Sequence, residues 1–412
     1  MSLRRIAVQN YRCFRDRQEM EIFPVTVVLG KNNSGKSALV RAPLIFSTGF
    51  DSETTAPLNL EAFGPDFVDG FPDLIFEQNP HGQIGVELEV VGRRPFTLNA
   101  TIQHLDETRD AFVSRLDLHD GRSDVTWDWV PGSLPESLRT YDTVFPGGRD
   151  RSRVEFLGLI PVGVPYPTGG LELGPMRYLS SQRATIVRQH RLPLGAPQAL
   201  GAQGEGVSAI LAHDRVRGGG ELMEIVNRYL ATIVPGWQLD EVAMGPLFAT
   251  VLRRSSSSTL RVNLADAGAG LAQALPILVQ CALDEQAGQG VEAPLQIIEE
   301  PEMHLHPAAH AELADLYLRT AQATGTRFLI ETHSETLLLR LRRRIAEANE
   351  YDADMVGIYV VDQRDGVSTV RRIHLDDLGN LGDEWPEGYF SQDYHEVRAL
   401  AAAQLERVDH AS

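Results

Sequence analysis

Lysine, cysteine and long apolar runs are scarce in this chain of 412 residues. Its two cysteines, Cys13 and Cys281, build no disulfide framework and have no metal-ligand spacing, which favours a reducing compartment. No apolar run approaches the roughly 20 residues that cross a bilayer, and the N-terminus lacks the apolar stretch of a signal peptide. We therefore expect a cytoplasmic protein with no membrane partner. The formal net charge of −18 argues against a surface that is basic all over.

The few lysines lie together, although arginine supplies nearly all of the 38 basic residues. Lys31 and Lys36 both fall within residues 30–37, which fit the phosphate-binding pattern G-x-x-x-x-G-K-[ST]. Random placement would put two lysines there with odds on the order of one in three thousand, so the match to the pattern gains weight. A compact ammonium reaches between β- and γ-phosphate oxygens more easily than a planar guanidinium. We predict that Lys36 binds the phosphates of ATP.

The surroundings of this loop suit a nucleotide site. A β-branched run, 25–29, precedes the loop and residues 37–41 suit a helix, which is the context that a P-loop requires. Backbone N–H groups of the loop and of the helix N-terminus would face the phosphates, and Ser37 would offer its hydroxyl to Mg²⁺. The predicted nucleotide-binding residues are Gly30, Asn32, Asn33, Ser34, Gly35, Lys36 and Ser37.

A second cluster of functional candidates follows the apolar run 294–298. A strand that ends in adjacent carboxylates suits the centre of a parallel sheet, where sites gather beyond the strands' carboxyl ends. We assign Glu299 to the Mg²⁺ sphere and Glu300 to the attacking water. A simple turn with exposed acids, ended by Pro301, is the alternative.

A third strand-like segment, 327–331, leads to His333, and Ser334 is placed to cap the next helix. His333 could donate a hydrogen bond to the γ-phosphate, although a lone histidine is more often structural. His304, His306 and His310 suggest a metal site, but they lack a complementary ligand cluster. The more ordinary interpretation is a loop that leads into a helix starting near Pro307.

Small residues at 263–276 precede and begin another helical run. Gly268 and Gly270 leave backbone N–H groups open at a helix N-terminus, which favours an anion. A glycine hinge before a core helix is equally consistent with this composition.

Taken together, these motifs resemble the ABC-type, AAA-family ATPases of the OLD and SMC-like group, which includes bacterial defence and repair proteins. The order is P-loop, G-x-G-x-x-Q helix, EEPE-x-HLHP and ETHSE, and residues 299–307 and 331–335 are the most specific pieces. Residues 379–390 resemble part of a small C-terminal domain of unknown function attached to some of these ATPases. Residues 50–250 match these ATPases only in their general composition and patterning.

The resemblance implies an α/β P-loop NTPase fold, an ABC-type head with a mostly parallel central sheet, a β-rich lobe and a helical insertion. The expected division of the chain is 1–50 for the N-terminal part of the head, 51–255 for the β-rich lobe and helical insertion, 256–350 for the C-terminal part of the head, and 351–412 for a small C-terminal α/β extension.

The resemblance also implies that ATP lies between two heads of a homodimer. Lys36, Glu300 and His333 would be catalytic in cis, while Gly268, Gly270 and Gln273 would bind the nucleotide in trans. Ala272 stands where relatives often have serine, so the trans contact would rest on backbone amides and hydrolysis would be slow. The glutamine loop of the family has no clear position here, and Gln78 and Gln83 are only candidates.

The expected function is an ATP-driven switch or motor that acts on DNA or controls a partner nuclease or other effector in anti-phage defence or DNA repair. A nucleotide-gated scaffold with negligible turnover is one alternative. A transporter subunit is another, disfavoured by the long separation of Ser37 from Glu299. No nuclease constellation follows His333. Two arginine clusters could contact DNA, but such runs are usually solvated or paired with acids; they are Arg340, Arg342, Arg343 and Arg344, and Arg177, Arg183, Arg188 and Arg191.

Overall fold

A computed structural model describes residues 1–400 apart from 51–54, 64–66, 122, 133–138, 165, 167, 169, 193, 196–198, 258, 289–291, 348–349, 383–384 and 386–397. The strands are β1 (Ser2–Gln9), β2 (Gln18–Glu21), β3 (Val25–Gly30), β4 (Gln83–Val91), β5 (Phe96–Leu105), β6 (Asp110–His119), β7 (Asp124–Trp129), β8 (Arg139–Phe145), β9 (Gly148–Leu157), β10 (Ile160–Val162), β11 (Met176–Leu179), β12 (His190–Arg191), β13 (Trp237–Met244), β14 (Leu247–Arg254), β15 (Arg261–Asn263), β16 (Leu295–Glu299), β17 (Arg327–Glu331), β18 (Val356–Arg364) and β19 (Val367–Ile373). The helices are α1 (Lys36–Ser47), α2 (Val207–Arg217), α3 (Glu221–Ile233), α4 (Ala269–Ala287), α5 (Pro307–Thr324) and α6 (Glu335–Ala346).

The central sheet has six strands in the order β11-β16-β17-β3-β18-β19. All neighbouring pairs are parallel except β18 with β19, so the predicted mostly parallel sheet is confirmed. Every residue of β3 and β16 is buried, as expected for strands covered on both faces. Because these strands run the same way, the loop after β3 and the acids after β16 and β17 meet at one edge of the sheet.

Two hydrophobic cores cover the two faces of this sheet. Successive side chains of a strand point to opposite faces, and Val28 accordingly packs in one core while Val27 and Leu29 pack in the other. The first core joins α1 to a nine-stranded antiparallel sheet in the order β10-β9-β8-β7-β6-β5-β4-β1-β2. The second core contains residues of helices α2 to α6.

The nine-stranded sheet is the predicted β-rich lobe, and its strands show the alternation of a sheet with one buried face. In β4 every second residue is buried, from Ile84 to Val90. Strands β1 and β2, from the N-terminal segment 1–50, pair within this lobe and not with the P-loop strand. The helical insertion consists of α2 and α3 beside a four-stranded sheet of β12, β13, β14 and β15.

The C-terminal part of the chain returns to the central sheet. Strand β18 pairs in parallel with β3, and β19 forms a hairpin with β18. Residues 351–412, expected as a small extension, therefore share the central sheet through 356–373. Of the C-terminal motif at 379–390, residues 383–384 and 386–390 lie outside the described residues. Within the described part of the chain, no helix is long and apolar enough to cross a membrane.

Candidate functional site

The loop between β3 and α1 has the backbone of a phosphate cradle. Asn33 and Gly35 adopt positive φ angles of 63° and 101°, and the Ser34 N–H donates to the Lys31 carbonyl at 3.2 Å. Gly35 is the residue before α1, so the loop runs directly into the helix N-terminus. Consecutive N–H groups in such a turn form a concavity for an anion, next to the positive end of the helix dipole.

Glycine is required at both ends of this loop. A Cβ on Gly30 would lie 2.6 Å from the Val361 carbonyl oxygen, and one on Gly35 would lie 2.4 Å from the Cys13 sulfur. The motif glycines are therefore needed for packing as well as for the turn.

Lys36 lies buried at the start of α1. Its Nζ donates to the Lys31 carbonyl at 2.9 Å and lies 4.0 Å from Oε1 of Glu331. Burial lowers the pKa of Lys36, and the charges of Glu331, Glu300 and Glu302 oppose that effect. An ammonium held by the Lys31 carbonyl in this way is close to where the loop would receive phosphate oxygens.

Two buried glutamates, Glu299 and Glu331, lie opposite each other at the ends of β16 and β17. Both Glu299 oxygens accept from Arg41 of α1, at 2.5 and 2.7 Å. Glu331 instead accepts from the Ser37 hydroxyl at 2.9 Å. Burial first and then the charge of Glu299 raise the pKa of Glu331 to about 7. The sequence predicted that Glu299 and Ser37 share the metal. In the structure Glu299 instead contacts Arg41, and Ser37 contacts Glu331.

Glu300 and His333 lie together beyond these strands, as their predicted roles require. His333 Nε2 is 3.9 Å from Glu300 Oε1, and Glu302 accepts from the His333 backbone N–H at 2.6 Å. Glu300 has a φ of 42°, a strained angle for a non-glycine residue, and such strain is typical of functional sites. Burial and the charge of Lys36 lower the pKa of His333, with Glu300 opposing, which favours the neutral imidazole.

The small-residue segment forms the N-terminus of α4, with Gly268 as its first flanking residue. A Cβ on Gly270 would lie 2.6 Å from the His304 carbonyl oxygen, so this glycine is needed for close packing. The Gln273 amide donates to the Ser181 carbonyl at 2.7 Å and is buried. Its side chain is thus engaged within its own chain. A cavity of about 520 Å³ lies beside this N-terminus, lined among others by Ala272, Gln182 and Arg183.

Two of the nearby histidines, His306 and His310, have structural partners. His306 caps α5 by accepting from the Ala308 N–H, and His310 contacts the Ser334 hydroxyl at 2.8 Å. Helix α5 begins at Pro307 and Ser334 caps α6, as predicted. No group of three metal-ligating side chains occurs in the described ranges.

The arginine clusters are largely paired with acids. On α6, Arg340 and Arg344 bind Asp315, Arg343 binds Glu347, and Arg342 donates to the Gly379 carbonyl. In the other cluster, Arg177 binds Asp284 and Arg188 binds Asp266. Pairing of this kind leaves less free positive charge for a DNA backbone.

The residues fit ATP with Mg²⁺ on observations that do not depend on the motif. The Ser34 hydroxyl and the second carboxylate oxygen of Glu331 are buried and have no hydrogen-bond partner among the described residues. Buried polar atoms without a partner are costly, and a bound ligand would satisfy them. An ammonium, a free hydroxyl and a carboxylate around a glycine loop match a triphosphate and its cation.

Sequence reasoning missed two residues that contact predicted site residues: Glu331, which bonds to Ser37, and Arg41, which bonds to Glu299. Glu331 ends a buried strand just as Glu299 does, so the same rule applied to 327–331 would have found it. Gln182 follows β11, the strand beside β16, and lines the cavity beside the α4 N-terminus, whereas Gln83 begins β4 within the β-rich lobe and Gln78 precedes it. The pairing of Arg41 depends on the packing of α1 over the sheet and has no sequence signal.

The strand, glycine loop and helix, set in this mostly parallel sheet with carboxylates on the adjacent strands, define a P-loop NTPase of the α/β class. Residues 1–71 match the family described as "AAA ATPase domain", and residues 181–340 match the one described as "AAA domain, putative AbiEii toxin, Type IV TA system". These two stretches contain all of the predicted site residues. The chain is therefore similar to AAA ATPase domains over both halves of its site.

Similar solved structures are SMC head domains. One is the Smc head bound to the C-winged helix domain of ScpA, at 13% identity and a TM-score of 0.48, covering 91% of this chain and 98% of that one. The SMC head domain from Thermotoga maritima has 14% identity, a TM-score of 0.45, and coverage of 91% and 100%. The Smc head with an extended coiled coil from Pyrococcus furiosus, bound to the C-terminal domain of ScpA, has 12% identity, a TM-score of 0.49, and coverage of 90% and 96%. No curated protein matches the chain significantly.

Proposed function

We propose that this chain binds ATP with Mg²⁺ and hydrolyses it by in-line attack of water on the γ-phosphate. The observation that carries the proposal is the convergence of Lys36, Glu300 and His333 at one edge of the central sheet, from three separate stretches of the chain. Phosphoryl transfer needs little covalent chemistry from a protein, so positioning and charge neutralisation would supply most of the rate.

Each of these residues has a distinct role in the proposal. Lys36 and the loop N–H groups bind the β- and γ-phosphate oxygens. Glu300 orients and polarises the water, and the neutral His333 donates a hydrogen bond to the γ-phosphate. Ser37 and a carboxylate at the end of an adjacent strand would hold Mg²⁺, which would neutralise charge on the phosphates.

We also infer that a second copy of the chain closes the site. Glu300 and His333 are each about one-third exposed, so a partner can reach them. Apart from Gly268 itself and its two chain neighbours, no described atom lies within 4 Å of where a Gly268 Cβ would be, which leaves the N-terminus of the 19-residue helix α4 open to an anion. Because the Gln273 side chain is bonded internally, the trans contact would come from the backbone around Gly268 and Gly270.

ATP binding and hydrolysis would then switch the chain between closed dimers and separate heads. We propose that this switch controls a partner effector, a nuclease of anti-phage defence or DNA repair, in the cytoplasm. Direct DNA contact has less support because the arginines of α6 are paired. A nucleotide-gated scaffold with negligible turnover is the second candidate, favoured by Ala272, which gives the α4 N-terminus no hydroxyl.

The variant Glu300→Gln tests the proposal. We expect its ATP affinity to stay near that of the wild type, its turnover to fall at least about a hundredfold, and an ATP-bound dimer to accumulate in sedimentation velocity runs. Glu107→Gln, on an exposed turn of the β-rich lobe, is the matched control and should turn over normally. Unchanged turnover in Glu300→Gln would remove the role of Glu300. ATP-dependent dimers of a wild type that never hydrolyses would support the scaffold.

A further inference from the structure

We propose that Glu331, and not Glu299, is the protein carboxylate that binds the Mg²⁺ accompanying ATP. The inference rests on the proposed function, since it concerns the metal of that nucleotide. The sequence motifs predicted no metal contact for Glu331.

Ser37 and Glu331 are spaced like two neighbouring ligands of one Mg²⁺ ion. The Ser37 Oγ and Glu331 Oε1 atoms are 2.9 Å apart. Mg²⁺ prefers octahedral geometry with oxygen ligands at 2.0–2.1 Å, so two adjacent ligands lie roughly 3 Å from each other. An ion could therefore take both oxygens with little movement of either side chain.

Glu331 has a carboxylate oxygen that accepts no hydrogen bond from the described residues. Its side chain is buried, and its Oε2 atom has no hydrogen-bond partner among the described residues. The nearest cation, Lys36 Nζ, lies 4.0 Å from Oε1, beyond hydrogen-bond distance. A buried carboxylate in this state is poorly satisfied by the protein alone and would gain from a cation.

Glu299, in contrast, has both carboxylate oxygens bonded to Arg41. Arg41 donates to both of its oxygens, the bidentate geometry that guanidinium and carboxylate groups prefer. Arg41 is itself held over the rings of Phe67 and Tyr178. Turning Glu299 toward a metal would leave this guanidinium without its counterion.

Strand order gives the same answer. Glu331 ends β17, which is adjacent to the P-loop strand β3, whereas Glu299 ends β16, one strand further away. Neighbouring strands lie roughly 4.8 Å apart, so Glu299 starts about twice as far from the loop as Glu331 does.

The test compares the variants Glu331→Gln and Glu299→Gln. They change two buried glutamates that lie opposite each other at the ends of β17 and β16. Mn²⁺ replaces Mg²⁺, and electron paramagnetic resonance measures free Mn²⁺ over the full-length chain saturated with a nonhydrolysable ATP analogue. We expect Glu331→Gln to lose tenfold or more in Mn²⁺ affinity and Glu299→Gln to lose less than threefold. A larger loss in Glu299→Gln, or equal losses in both variants, would overturn the assignment.

Binding of the analogue in EDTA serves as the control for an intact loop, since it needs no metal. If Glu331→Gln does not fold by circular dichroism, Glu331→Asp keeps the charge but withdraws it by one methylene, and it should also lose Mn²⁺ affinity. Unchanged Mn²⁺ affinity in that variant would contradict the proposal. Failure of the proposed function looks different, because the wild-type chain would then bind no analogue with or without metal.

Discussion

Single side chains in this site are held in place by neighbours of opposite charge. Arg41 is the clearest case, because it neutralises Glu299, a carboxylate that is only 2% exposed. Removing one member of a buried ion pair leaves the other without compensation, which is far more costly than losing a pair at the surface.

We therefore expect Arg41→Ala to destabilise the protein by about 3–5 kcal/mol, seen as a lower melting temperature in differential scanning fluorimetry. Arg343→Ala is the control, since Arg343 is mostly exposed and its loss should change the melting temperature little. Equal melting temperatures for the two variants would mean that the Arg41–Glu299 pair is not important for stability.

The contacts of single residues also show where sequence reasoning stops. The motif predicts Lys36 and Ser37 as site residues because the roles proposed for them follow from a local pattern of eight residues. It could not identify Glu331 as the partner of Ser37, because that hydrogen bond spans 294 residues. The choice between Glu299 and Glu331 depends on which strand lies next to β3, and strand order is not readable from the chain. Pairing of the α6 arginines with α5 acids depends in the same way on helix packing.

Among the elements, the β3–loop–α1 unit is the one on whose backbone the proposed nucleotide site depends most. Its backbone must turn with positive φ at Gly35 while the chain around Cys13 packs against it. Local pattern predicted this unit and the strands at 294–298 and 327–331, because short apolar runs bounded by turn residues are typical of buried strands. The place of β1 and β2 in the lobe was not foreseen, since it depends on long-range pairing.

The variant Gly35→Ala should lose ATP affinity at least tenfold, because its Cβ would strike the Cys13 sulfur and φ would be strained. Isothermal titration calorimetry measures this affinity. Gly121→Ala is a matched control: Gly121 also has a positive φ, but no described atom lies near its Cβ position. It should bind ATP as the wild type does, and normal binding by Gly35→Ala would show that the loop tolerates the change.

For the molecule as a whole, two hydrophobic cores cover the two faces of the central sheet, and the predicted site residues lie together at one edge of that sheet. The β-rich lobe and the helical insertion lie on opposite faces of this sheet, and neither supplies the loop, the acids or His333. Both are therefore free to serve the proposed contacts with a second copy and with an effector, while the nucleotide edge stays constant.

The measurement that tests this account most directly is calorimetric titration of the wild-type chain and of Lys36→Ala with ATP in Mg²⁺. The account predicts saturable binding by the wild type and a loss of at least about a hundredfold in Lys36→Ala, with both proteins folded by circular dichroism. Equal binding by the two proteins, or none by the wild type, would contradict it.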